Sequence, residues 1–138
     1  MLLGLLLAPF ASSVHARTLA VIVNPRSHVE SLSRYQVIDI FMGRYRKLPS
    51  GVAALPVDLA RGSAERDDFY HLLIGKNSAE IGAYWARLIF SGQASPPFQT
   101  ESSQSALELV ANNPNAIAYI DLAAVDHRVK VVFEIQSR

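Results

Sequence analysis

Arg61-Gly62-Ser63-Ala64 joins three kinds of group that an anion can use. Gly62 lets the backbone come close, and Ser63 offers a hydroxyl. A helix opening at Ser63 would leave its first N–H groups without intrahelical partners. Arg61 and Arg66 flank the turn with planar donors suited to carboxylate or oxyanion geometry. The pattern is that of an anion cradle. For Ser63 a second role stands beside the first, because serine is a favoured helix N-cap worth about 1 kcal/mol. Arg61 fits a solvated loop as well as a ligand contact. Arg66, in the first helical turn, fits pairing with Asp67 as well as a cleft contact.

Other candidate groups point to packing or solvation. His71 follows Asp67 by four residues and Asp68 by three, so the three can share a helical face. A metal would need a further ligand from elsewhere, and no metal site is expected; His28 and His127 are isolated in loops. Tyr84-Trp85 reads as core packing, and Arg44-Tyr45-Arg46-Lys47 as a solvated helix end. The sequence has no hydrolase elbow, no paired carboxylates placed with a base and no phosphate-loop lysine. A non-enzyme without a cofactor is expected.

The elements that must hold the cradle follow from patterning. The 138 residues make one small domain with enough apolar content, 50%, for a real core. A net charge of +1 gives no general attraction to nucleic acid or to an anionic membrane. Thr18 to Val23 is a continuous apolar run, the signature of a strand buried on both faces. Ser31 or Ser33 then caps a helix with Leu32, Tyr35, Ile38 and Met42 at helical spacing, stopped at Gly43. A turn at residues 48–51 leads to a strand from Ala53 to Leu59 and so to the basic turn.

Beyond Ser63 a helix directs Phe69, Leu72 and Leu73 inward and ends at Gly75. Asn77 with Glu80 forms a capping-box start for a helix burying Ile81, Trp85, Leu88 and Ile89. Pro96-Pro97 breaks the chain, and Ser102 or Ser103 caps a helix running to Val110. Strands at residues 116–120 and 129–135 complete a β-α-β-α-α-α-β-β order, an α/β pattern.

The N-terminus reads as a leader. Residues 1–14 are almost entirely apolar, and Val14-His15-Ala16 places small residues at both ends of a cleavage tripeptide. A signal peptide over residues 1–16 and a domain over 17–138 are therefore expected. The apolar run is too short to span a bilayer, which takes about 20 residues. The chain has no cysteine, hence no disulfide, thiolate metal site or lipid-modified cysteine. A soluble, periplasmic location without stable membrane insertion follows as the expectation.

Five segments in order also resemble a known group: residues 39–43 (Asp-Ile-Phe-Met-Gly), 56–58 (Pro-Val-Asp), Gly62-Ser63 with Phe69, 84–92 (Tyr-Trp-Ala-Arg-Leu-Ile-Phe-Ser-Gly) and 113–119 (Asn-Pro-Asn-Ala-Ile-Ala-Tyr). They look like the short relatives of phosphate ABC-transporter substrate-binding proteins, within the type II periplasmic binding protein-like superfamily. The resemblance covers nearly all of residues 17–138 and implies that fold, in a compact two-lobed or truncated form. It implies a small oxyanion, phosphate first, held by helix N-termini, hydroxyls and an arginine, with an ABC permease or envelope sensor as partner. By position it carries an anion-binding role to Arg61, Gly62, Ser63 and Ala64. It places contacts from the other side of the cleft on Asn24 and Ser27. Selecting a protonated oxyanion would need an acceptor carboxylate, for which Asp58 or Glu65 could serve. Departures are Ala64-Glu65 where the group has Gly-Thr, and Asn115 and Ala118 where it has glycines. Glu65 stabilises the helix start but competes with an anion. A ligand-free envelope interaction or sensor module that kept the fold is the alternative function.

Overall fold

The computed structural model describes residues 4–9 and 17–136. The proposed cleavage site at Ala16 lies outside the described residues. Residues 4–9 form neither helix nor strand and are exposed. No helix among the described residues is long and apolar enough to cross a membrane.

Five strands form one mixed sheet: β1 (Thr18–Val23), β2 (Leu55–Leu59), β3 (Phe98–Thr100), β4 (Ala116–Asp121) and β5 (Lys130–Gln136). Their spatial order is β3-β2-β4-β1-β5. β2 runs parallel to β3 and β4, whereas β1 is antiparallel to both β4 and β5. β1 and β4 lie inside the sheet, and their apolar runs are buried from Leu19 to Val23 and from Ala116 to Ile120. The uninterrupted apolar pattern of residues 18–23 follows from that two-faced burial.

Four helices are added: α1 (Arg34–Phe41), α2 (Ala64–Ile74), α3 (Ser78–Phe90) and α4 (Ser103–Asn112). The chain travels outward from β2 to β3 through α2 and α3, and back from β3 to β4 through α4. With right-handed crossovers, these opposite directions put α2–α3 and α4 on opposite faces of the sheet. Each helix begins on a side-chain cap. Ser33, Ser63, Asn77 and Ser102 accept from the amides of Gln36, Arg66, Glu80 and Ser105. α2 stops where Gly75 takes a left-handed conformation at φ 69°.

Two helical faces differ from the sequence expectation. In α1 the buried positions are Val37, Ile40 and Phe41, and Tyr35 stands 79% exposed. In α3 Ile81 and Trp85 are buried, but Ile89 is exposed near the C-terminus. Strand β3 lies just beyond Pro96-Pro97, in a stretch without a strand pattern. It is held to β2 by main-chain pairing and by Thr100 Oγ1 donating to the Asp58 carbonyl at 3.1 Å.

Candidate functional site

The turn after β2 lies at the carboxyl end of a parallel strand flanked by β3 and β4. In open α/β sheets that end is where ligands gather. Gly62 sits at φ 86°, which only glycine adopts without strain, and this lets the chain turn sharply into α2. Ser63 Oγ accepts from the Arg66 amide at 3.2 Å, so Ser63 is the N-cap of α2. Its hydroxyl proton remains available to donate, so capping and anion binding are compatible. The amides of Ala64 and Glu65, at the first two helical positions, have no intrahelical acceptor. Arg61 is exposed and makes no hydrogen bond or ion pair among the described residues.

Arg61 reaches away from the loop toward α3. A Cβ added at Gly82 would overlap the Arg61 guanidinium, so this glycine leaves the room the side chain occupies. Arg61 borders a cavity of about 360 Å³ between the β2 end, α3 and the Pro96-Pro97 segment. Asp58, Arg66, Trp85, Ile89 and Gln99 also face it. Of the six residues proposed from sequence, only Arg61 lines this cavity. Gly62, Ser63 and Ala64 form its neighbouring loop.

Asn24 and Ser27 are elsewhere, which corrects the expectation that they face Arg61. Val23 pairs with Ile117, and Ile117 with Pro56, so Asn24 follows β1 at the amino end of β2. The Arg61 turn is at the carboxyl end, roughly 13 Å of strand away at about 3.3 Å per residue. Asn24 is also fully engaged. Its side-chain amide donates to the carbonyls of Val110 and Ala111 at 2.9 and 3.0 Å, and its Oδ1 accepts from the Arg26 amide. It ties the end of β1 to the end of α4. Ser27 is buried and its Oγ accepts from the Val29 amide at 3.3 Å.

Below the cavity is a polar cluster that sequence reading missed. Asp58 is buried, its Oδ2 accepting from the Tyr70 hydroxyl at 2.8 Å. Its Oδ1 accepts from the Tyr119 hydroxyl and from the Leu59 amide. The Arg66 guanidinium, only 3% exposed as a residue, approaches Asp58 Oδ1 with Nε at 3.4 Å and donates through Nη1 to Ser78 Oγ at 3.2 Å. Burial and the Asp58 charge push both tyrosine hydroxyls well above their ordinary pKa. This occupancy corrects the reading of Asp58 as a free acceptor for a protonated oxyanion. Arg66 pairs with Asp58, eight residues back, and not with Asp67. Sequence could not show it, because the partners come from β2, α2 and β4.

Two buried donors beside the cavity lack acceptors. Arg66 Nε makes no hydrogen bond despite the nearby carboxylate, and the Trp85 indole N–H has no partner. Among the described residues no cluster of three metal-ligating side chains occurs.

The chain matches no protein-family model and no curated protein sequence. Solved structures do share its fold. A Clostridium perfringens protein described as a phosphate ABC transporter substrate-binding protein, solved with bound phosphate, aligns at TM-score 0.67 and 24% identity. An ABC-type phosphate transport receptor of Vibrio cholerae aligns at 0.68 and 21%, and PstS of Borrelia burgdorferi at 0.65 and 15%. Each alignment covers 85% of this chain but only 44%, 46% and 47% of the other, so the chain spans under half their length. The chain thus shares the fold of the matching part of these structures, an α/β arrangement built on one five-stranded sheet.

Proposed function

We propose that the chain is an exported, non-enzymatic binding protein for a small oxyanion, phosphate-like in charge and shape, working in uptake or sensing at the cell envelope. The observation that carries this reading is the uncompensated guanidinium of Arg61, beside a helix start whose first amides lack acceptors. Fold likeness to phosphate-binding proteins supports it, as does the placement of the turn at the carboxyl end of β2. Arg61, the Ser63 hydroxyl and the amides after Gly62 are the proposed contacts, and an ABC permease or envelope sensor is the proposed partner. Glu65 in the first turn of α2 opposes the anion and sets the affinity below what the cradle would otherwise give.

Titration calorimetry with phosphate and sulfate tests this. Saturable heat is expected, with affinity falling roughly 10- to 100-fold in Arg61→Ala, the range for one charge-assisted hydrogen bond. Heats equal to buffer dilution for every oxyanion at millimolar concentration would end the proposal. A ligand-free interaction module is the second reading, favoured by Phe90, which stands 93% exposed at the end of α3 beside exposed Ile89. It requires that phosphate leave the melting temperature unchanged while an envelope partner is recovered with the chain.

A further inference from the structure

We infer that the cavity beside Arg61 takes an organic oxyanion, an anionic head carried on a small apolar body, in preference to bare phosphate. The inference rests on the oxyanion reading and names the ligand class of the same site. Three observations lead there. First, the wall holds a cation without a counter-charge: Arg61 makes no hydrogen bond or ion pair among the described residues. The carboxylate in that wall, Asp58, is already taken up by Tyr70, Tyr119 and the Leu59 amide. An uncompensated guanidinium is completed by a ligand that brings anionic acceptor oxygens.

Second, the cavity measures about 360 Å³, within the range of sites that hold organic ligands, roughly 300–1,000 Å³. Third, much of its remaining lining is apolar, with Trp85, Ala86, Ile89, Pro96 and Pro97 beside Gln99. A bare hydrated ion gains nothing from that surface, whereas an alkyl or aryl group buries against it. The absence of a side chain at Gly82 leaves the guanidinium of Arg61 seated over α3, where a head group would pair with it as the body enters.

Trp85 is the chain's single tryptophan and lines the cavity, so its fluorescence reports occupancy directly. Phenylphosphonate and inorganic phosphate are titrated against the full chain by fluorescence and by calorimetry. The expected result is a saturable Trp85 change with phenylphosphonate, binding at least about tenfold tighter than phosphate. Ile89→Ser, at an exposed position that folding does not depend on, is expected to remove most of that tenfold advantage. Equal affinity for both ligands would overturn the inference, as would phenylphosphonate binding that leaves Trp85 unaffected; either result leaves the oxyanion reading standing if Arg61→Ala weakens both. If neither ligand gives heat or fluorescence change, both readings fall together.

Discussion

Asp58 is the residue on which the interior polar network depends. Its carboxylate accepts two tyrosine hydroxyls and a backbone amide and is the nearest counter-charge of buried Arg66. A buried guanidinium without its counter-ion is costly, so Asp58→Asn is expected to lower stability by about 3–5 kcal/mol in urea unfolding. A loss under about 1 kcal/mol would show that solvent already screens the pair. The pairing also bears on the neighbouring site. With Arg66 partly neutralised by Asp58, Arg61 is the wall's uncompensated positive charge, and ligand affinity should follow it more closely than Arg66. None of this was readable from residue types. Asp58 and Arg66 were visible as charged groups near a glycine turn, but their pairing depends on how α2 settles on β2, and Tyr119 joins from 61 positions away.

Helix α3 shows a conflict between local propensity and site geometry. Glycine inside a helix costs roughly 0.5–1 kcal/mol relative to alanine, yet Gly82 lies in the second turn of α3 under the Arg61 guanidinium. Gly82→Ala is therefore expected to stabilise the protein by up to about 1 kcal/mol in thermal or urea unfolding while weakening oxyanion binding, because the flexible arginine end must move aside. A variant both more stable and equally able to bind would mean that Arg61 does not act from its place over α3. Where local chemistry decides, the elements were legible: the serine and asparagine caps and the glycine stop of α2 all stand where side-chain capping and left-handed turns require them. Where tertiary contact decides, they were not. The three residues of β3 have an exposed Phe98 at the start and owe their strand geometry to β2. Ile89 matched the helical period of α3, but the helix runs past the core before reaching it. The Arg61–Ala64 turn was visible as a unit. Asn24 and Ser27 were drawn to it only by likeness, and the antiparallel direction of β1 carries them to the other end of the sheet.

At the scale of the molecule, strands β2 and β4 and helix α2 meet in one buried junction. Phe69 stacks on Tyr119 with ring centroids 3.8 Å apart, Phe41 packs edge-on against both, and the Tyr70 and Tyr119 hydroxyls turn to Asp58. Burial first, and the adjacent carboxylate second, hold both hydroxyls protonated well past the ordinary tyrosine range. In the unfolded chain these tyrosines titrate near pH 10. Above that pH the unfolded state therefore binds fewer protons than the native state, and the pH derivative of unfolding free energy is negative. The stabilisation is complete below about pH 10 and is lost as pH rises further, by about 1.4 kcal/mol per pH unit for each tyrosine. Urea midpoints should thus hold steady toward pH 9.5 and fall steeply between pH 10 and 11.5. Tyr119→Phe removes one of the two titrations, so it should start less stable by about 1.5–3 kcal/mol for the lost hydrogen bond to the Asp58 carboxylate yet decline with a visibly shallower slope. A wild-type profile that stays flat through pH 11, or an unchanged slope in the variant, would mean that these hydroxyls ionise in the folded protein and that the junction is wetter than its packing indicates.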